Sequence, residues 1–174
     1  MLHRGFQNPT LTEDDRAWLC HAAKQARGDV LRMTTGAGSG HPGGALSSLD
    51  IFLLLFNGIT LSPARDRVVI SHAHTAAGVY AAMAQAGIVD RDDVVAQFRR
   101  CGTPFDGHVS AAVPGVEWSG GNLGQGLSVG CGMAWRAVSP DRHTMSTSSS
   151  ATANTRRGSL RRHSALPHST DWRI

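Results

Sequence analysis

The chain has 174 residues, a length that fits one ordinary domain with its own buried core. Its net charge of +4 arises wholly at the C-terminal end, because residues 1–138 hold eleven Lys and Arg against eleven Asp and Glu, and we therefore expect no binding to nucleic acid. The sequence has no apolar run of membrane-spanning length, no secretory signal and only three widely spaced cysteines, which together predict a cytoplasmic protein without membrane contact, disulfides or a zinc-binding cysteine pair.

The first predicted elements are two helices joined by a glycine-rich loop. Residues 12–15 have the hydroxyl-x-x-acid order of a helix N-terminus, and apolar residues then recur at helical spacing as far as Met33. Five glycines and a proline fall within residues 36–44, which predicts a loop there. Residues 46–56 are apolar on nearly every face, as in a helix that is buried on several sides.

A strand, two helices, a long loop and a last helix follow. Residues 67–71 are a β-branched run and residues 75–86 an alanine-rich helix, an order typical of an α/β unit, and Asp90 is predicted to cap the next helix. Residues 101–122 show little period, and a loop of that length in a compact domain is usually functional or disordered. The helix that resumes at residue 123 contains several glycines, which indicates close packing or a ligand near its backbone.

Four histidines occupy the segments in which α/β proteins bind ligands. His41 lies in the glycine-rich loop, His72 and His74 follow the predicted strand, and His108 lies in the long loop. In an extended segment His72 and His74 would point to the same side, as two metal ligands could, but no Cys, Asp or Glu lies nearby at ligand spacing. Contact with an anion or a substrate is therefore favoured over zinc, and no residue is nominated as a metal ligand. A dinucleotide fingerprint is disfavoured as well, because the glycines follow a helix and not a strand.

Five motifs resemble, in order and spacing, the N-terminal segment of transketolases. They are SGHPGG at 39–44, VISHAHT at 69–75, DGH at 106–108, PGVE at 114–117 and SGGNLGQGLS at 119–128. The similarity spans roughly residues 17–137 and is nearest to the short N-terminal subunits of transketolases whose two halves are separate chains.

The resemblance implies an α/β fold, an incomplete doubly wound thiamine-diphosphate-binding domain with a parallel sheet and flanking helices. It also implies an enzyme that transfers a two-carbon ketol unit between sugar phosphates with thiamine diphosphate and, in the parent family, Mg²⁺. A C-terminal transketolase half or subunit is the expected partner, and the parent family is dimeric. By the same resemblance His41 and His108 are catalytic candidates, and the cofactor-binding candidates are His74, Gly121, Leu123 and Gly124. His72 stands where the family usually has another residue, so it either takes part in the function of the site or only lies next to the residues that do.

The character of the sequence changes at Ser139. Of the last thirty-six residues twenty-two are Ser, Thr, Arg or His, and the few apolar residues follow no period. At this point the family has a buried strand that leads into a Gly-Asp-Gly-acid motif for the metal, and neither Asp141 nor Asp171 stands in such a motif. We therefore divide the chain into a transketolase-like part, 1–138, and a tail, 139–174, that is disordered or the product of a frameshift.

Two expectations follow from the missing segment. The alternative to an enzyme portion is an inactive truncated remnant that lacks the metal-binding motif. Loss of later strands and their covering helices would also leave apolar residues such as Ile51, Phe52 and Phe56 short of contacts, which predicts poor solubility or dependence on another chain.

Overall fold

The computed structural model describes residues 10–58 and 67–138 and the backbone of 146–149. The elements in these ranges are α1 (Glu13–Gly36), α2 (Pro42–Gly58), β1 (Arg67–Ile70), a 3₁₀ turn (Ala73–Thr75), α3 (Ala76–Gln85), α4 (Arg91–Gln97), α5 (Gln125–Val138) and β2 (Ser146–Ser149). Among them no helix combines the length and the apolar character that a membrane span requires.

The first helix begins as its sequence predicts. The Thr12 hydroxyl accepts a hydrogen bond from the Asp15 backbone N–H at 3.2 Å, and the Asp15 carboxylate accepts one from the Thr12 N–H at 3.1 Å. This reciprocal pair satisfies two backbone donors that the first turn leaves unpaired. Asp90 caps α4 as predicted, since its carboxylate accepts from the N–H groups of Asp92 and Asp93.

The hydrophobic core lies between α1, α2 and α3, and it corrects one prediction. Phe52 and Phe56, which we expected to lack contacts, are 0% and 3% exposed because they pack in this core, whereas Ile51 is 54% exposed. The close approach of α2 and α3 depends on Gly78, where a β-carbon would stand 2.7 Å from the Ala45 carbonyl oxygen. Helix packing within the described residues therefore supplies the contacts that the sequence argument had assigned to the missing segment.

The glycine-rich loop is shorter than predicted. Residues 36–44 were expected to be entirely loop, but α1 continues to Gly36 and α2 begins at Pro42, so that only residues 37–41 connect them. Proline suits the first position of a helix, because an N–H at that position has no hydrogen-bond partner within the helix. The glycines that follow it are tolerated because Gly44 lies against α3's preceding turn, where a β-carbon would be 3.2 Å from the Thr75 methyl carbon.

Two parallel strands form the sheet of the described chain. Arg67 pairs with Ser146 and Ile70 with Ser149, and α5, the last helix before β2, packs on both strands. Three of the four β1 residues are buried, as expected of a strand covered on its faces. The rest of the tail lies outside the described residues, and the wider doubly wound sheet and the division at Val138 stay predictions.

A buried carboxylate joins α1 to α4. Asp29 is 1% exposed, and its two oxygens accept hydrogen bonds at 2.8 Å from Nε and a terminal nitrogen of Arg91. Arg32, one turn along α1, adds a third bond at 2.8 Å. A carboxylate that leaves water needs this degree of pairing, and the pairing fixes α4 and the start of the long loop against α1.

We expect Asp29→Asn to lower the free energy of unfolding by about 2 kcal/mol, because it removes charge-assisted bonds at a buried site. Asp50→Asn is the matched control: Asp50 also accepts two bonds from one arginine, Arg27, but its side chain is 66% exposed. A surface pair contributes about 0.2–1 kcal/mol, so urea unfolding should separate the variants clearly. Equal losses would contradict the role given to Asp29.

Candidate functional site

The turn between α1 and α2 presents His41. Gly38 and Gly40 have φ angles of 59° and 143°, a region that side-chain-bearing residues rarely adopt. At Gly40 a β-carbon would also stand 2.7 Å from the Thr34 methyl carbon, so only glycine fits. The Ala45 N–H then donates to the His41 carbonyl at 3.1 Å, which places His41 directly before the first turn of α2 with an exposed side chain.

The segment after β1 is a tight turn, and not the extended segment in which His72 and His74 would point to the same side. Thr75 donates both its backbone N–H, at 3.0 Å, and its hydroxyl, at 2.9 Å, to the His72 carbonyl. The hydroxyl also lies 2.8 Å from Nδ1 of His72. Because the hydroxyl has one hydrogen and gives it to the carbonyl, Nδ1 must carry the hydrogen of the second bond. His72 is buried, and burial lowers its pKa, so the neutral ring has its free lone pair on Nε2.

Three imidazole rings lie together at the end of β1. The ring centroids of His41 and His74 are 5.3 Å apart, and those of His72 and His74 are 6.2 Å apart. Burial is the largest cause of a lowered pKa at His74, and the charges of His41, His72 and His108 lower it further. All four histidines singled out from the sequence therefore interact electrostatically at one site, with His41 and His108 exposed and His74 half-buried.

The long loop is held against this turn by backbone hydrogen bonds. The Val109 N–H donates to the Ala73 carbonyl at 3.0 Å, and the Gly120 N–H donates to the Val109 carbonyl at 3.2 Å. Gly120 is packed so closely that a β-carbon there would lie 2.6 Å from the Ala73 side chain. His108 directly precedes the bonded Val109, so the same hydrogen bonds hold its backbone close to the histidine turn.

Two residues that position the loop were not predicted for that purpose. The hydroxyl of Tyr80, the chain's single tyrosine, donates to the His108 carbonyl at 3.2 Å and accepts from the Ser110 N–H at 3.3 Å, and burial raises its pKa to about 12. Glu117, the acid of the PGVE motif, accepts two bonds of 2.7 Å from Arg67 of β1. The one sequence signal that could have indicated this role of Tyr80 is the presence of a single tyrosine in an alanine-rich helix.

The predicted cofactor loop, Gly121, Leu123 and Gly124, lies next to the histidine turn. The Gly124 N–H approaches the Ser71 carbonyl at 3.5 Å, and a β-carbon at Gly126 would stand 2.6 Å from the Ser71 α-carbon. Gly121 differs, because it is exposed and a β-carbon there would meet no atom within 4 Å. Leu123 is half-buried. Close packing therefore explains why position 126 is glycine. Gly121 has no such packing and is open to its surroundings.

No group of three or more His, Cys, Asp or Glu suited to a metal ion occurs in the part of the chain that the structure describes. The groups that shift the pKa of His74 by their charge are all imidazoles. The site as described is thus cationic or neutral, and it suits an anion better than a cation.

Known proteins resemble this chain over most of its length. Residues 21–147 match the family profile described as "Transketolase, thiamine diphosphate binding domain". Human transketolase is 33% identical over 120 residues, 65% of this chain and 19% of that protein. Transketolase 1 of Saccharomyces cerevisiae is 36% identical over 104 residues, 56% of this chain and 15% of that protein. One of the named subunits of apulose-4-phosphate transketolase from Phocaeicola vulgatus is 33% identical over 124 residues, 66% of this chain and 43% of that protein. The chain spans less than half the length of each.

Two glycines of α5 provide a matched test of the packing against β1. Gly126→Ala should destabilise the fold by about 1–3 kcal/mol, because its β-carbon would overlap the backbone of Ser71. Gly132→Ala meets nothing within 4 Å and should stabilise the same helix by up to about 1 kcal/mol. Chemical denaturation followed by circular dichroism measures both, and a shift of the same sign in the two variants would contradict the packing described.

The buried imidazole predicts how stability depends on pH. The folded state disfavours protonated His72 and His74, so the unfolded chain binds more protons once the pH falls below the ordinary value of 6.5. The free energy of unfolding is therefore highest above pH 6.5 and decreases as the pH falls toward the lowered pKa values, by at most about 1.4 kcal/mol per pH unit for each histidine.

His72→Gln should flatten this dependence without abolishing it, since His74 remains. His21→Gln, at an exposed histidine of α1, should leave the slope unchanged. Urea unfolding repeated between about pH 5 and 8 distinguishes the two variants. A His72→Gln slope equal to that of the unmodified chain would show that His72 is not held neutral.

Proposed function

Because the chain belongs to the transketolase family, we propose that it is the N-terminal portion of an enzyme that transfers a two-carbon ketol unit between sugar phosphates with thiamine diphosphate. The observation that carries this proposal is the gathering of His41, His72 and His74, with ring centroids 5.3 and 6.2 Å apart, beside the open backbone at Gly121. The α/β fold of the family agrees with it, and we propose that the wider sheet is the doubly wound sheet of such a domain.

The residues at the end of β1 fit an anionic cofactor. The charges of His41, His72 and His108 lower the pKa of His74, and no carboxylate among the described residues offsets them there, so a diphosphate would supply the missing negative charge. Gly121 leaves space in which a ligand can approach the main chain. Within the proposal His74, Gly121, Leu123 and Gly124 hold the cofactor. When bound, thiamine diphosphate supplies the electron sink that the transfer of a ketol unit needs.

The proposed catalytic residues are the two exposed histidines. His41 and His108 are open to substrate, and imidazoles exchange protons near neutral pH, so they suit the removal and return of the hydroxyl protons of a sugar. Their positions depend on other groups: the glycine turn orients His41, and Tyr80 binds the carbonyl of His108. His74 with its lowered pKa stays neutral at pH 7 and can accept a hydrogen bond.

A second chain completes the proposed enzyme. One relative is named as a single subunit of its transketolase, which supports a partner that provides the other half of the site. We propose such a C-terminal half or subunit together with a dimeric parent assembly. Magnesium belongs to this proposal only through the parent family, since the described residues contain no group of metal ligands. The second candidate function is an inactive truncated remnant, and the observation behind it is that neither Asp141 nor Asp171 stands in a Gly-Asp-Gly-acid motif.

Nuclear magnetic resonance of histidine-labelled chain tests the cofactor proposal without a need for activity. Addition of thiamine diphosphate and Mg²⁺ should shift the ring signals of His41 and His74 and raise the pKa of His74, because the diphosphate charge stabilises the imidazolium. The exposed His21 on α1 is the internal control and should not move.

The titration is run with and without a C-terminal transketolase chain, and calorimetry in parallel measures the heat of binding. Heat and histidine shifts only when the second chain is present would support an enzyme portion that depends on a partner. Silence of both measurements in both conditions would leave the remnant as the correct interpretation.

A further inference from the structure

The strand β2 carries a sequence that does not suit its position. Val68, Val69 and Ile70 of the neighbouring β1 are at most 3% exposed, and β2 pairs with them in parallel. Parallel strands in α/β folds are covered on both faces and are near-continuous apolar runs. Residues 146–149 are instead Ser-Thr-Ser-Ser, and the abrupt change of composition begins just before them.

We propose that the tail from about Met145 onward is an out-of-frame reading of a coding sequence whose proper frame encodes an apolar strand followed by Gly-Asp-Gly-Glu. The genetic code restricts the residues that each shifted frame of the tail can encode. In the frame that starts at the third nucleotide of each tail codon, the last two nucleotides of every new codon are the first two of the next tail codon. The middle nucleotide of a codon largely fixes whether the encoded residue is apolar, and in the new codons this is the first nucleotide of the next tail codon.

The serines give the apolar strand. Serine read from its TCN codons contributes T and C to the new codon, and every NTC codon encodes Phe, Leu, Ile or Val. The junction of Met145 and Ser146 then reads GTC, a valine. Ser148, Ser149 and Ser150 place three apolar residues in succession. Between these and the valine stands one residue, encoded by NAC. The shifted reading is thus apolar at every position but one of the stretch that the structure pairs with β1, the exception being the NAC codon, which encodes Tyr, His, Asn or Asp.

The next residues give the acidic loop. The new codons that end in the first two nucleotides of the Ala151 and Ala153 codons have the form NGC, and GGC encodes glycine. The new codon that ends in the first two nucleotides of the Thr152 codon has the form NAC, and GAC encodes aspartate. Asn154 gives NAA, which includes glutamate. A single condition, a G at the third position of the four consecutive codons 150–153, yields Gly-Asp-Gly-Glu. The reading continues directly from the apolar run without a gap.

The remaining frame cannot give this result. Starting from the second nucleotide, each new codon from residue 146 to residue 153 begins with C when serine is read from TCN, since Ser, Thr and Ala codons all have C second. Codons that begin with C encode Leu, Pro, His, Gln or Arg only. Glycine and both acids are therefore excluded, so the match is a property of one frame and not of the composition. Loss of one nucleotide, or gain of two, before codon 145 produces the observed tail.

The structure gives the shifted reading a consequence for the site. Because β1 and β2 are parallel, the C-terminal end of β2 lies at the same edge of the sheet as Ser71, which precedes the histidine turn. In the shifted reading an acidic motif follows β2 directly and would bring carboxylates to this edge, where the charges that act on His74 within the described residues are those of imidazoles. This consequence rests on the proposed function, whereas the frame itself rests on the sequence and on the pairing of β2.

Sequencing of the gene and its messenger RNA tests the frame. We expect codons 150–153 to read TCG, GCG, ACG and GCG, with TCN codons at 146, 148 and 149. Any other third nucleotide in codons 150–153, an AGY serine codon in β2, or a stop codon in the shifted frame before codon 154 would overturn the proposal. This result is independent of cofactor binding, so failure of the proposed function and failure of the frame are distinguishable.

Expression of restored chains adds a measurement on the protein. One nucleotide inserted between codons 138 and 145 should raise the urea midpoint above that of the present chain, because an apolar strand then lies beside β1. Two inserted nucleotides give the remaining frame and should not. Equal midpoints for the two insertions would contradict the strand assignment even if the nucleotides agree.

Discussion

The backbone turn at residues 71–75 is the constraint on which the site depends. Two bonds from Thr75 to the His72 carbonyl close the turn, and the turn then offers its own carbonyls to other segments. Ala73 accepts from Val109 of the long loop, and the Ser71 carbonyl faces the N–H that precedes α5. The long loop and the segment that precedes α5 converge because they bond to this one short stretch, which the end of β1 holds in place, whereas the turn that carries His41 approaches it by packing at Gly44.

Glycines near this turn serve two different purposes. At Gly44, Gly120 and Gly126 a side chain would meet atoms of residues 71–75, so these glycines allow the segments to approach. At Gly121 the space is open, and packing gives no reason for the residue. The sequence predicted that the glycines implied close packing or a ligand, and it could not separate the two, because the separation depends on distances between elements that are remote in the chain.

The outcome of the sequence predictions follows the range of the interactions involved. Capping at Thr12 and Asp90 was predicted correctly because it depends on residues three or fewer positions away. The packing of Phe52 among the described helices and the 3₁₀ turn after His72 were not predicted, since both depend on contacts with other elements. Motif order indicated the histidine site, but the support of the long loop by Tyr80 is a tertiary contact without a local signal.

The electrostatics of the described site are unbalanced, and this imbalance connects the two proposals. Each imidazole near His74 lowers its pKa, and no carboxylate in the described residues acts in the opposite direction on it. A binding site for a diphosphate and a divalent cation needs both signs of charge, cationic or neutral donors for the anion and carboxylates for the metal. The first kind is present at the end of β1. The second kind would follow β2 in the shifted reading, and the C-terminal end of β2 lies at the same edge of the sheet.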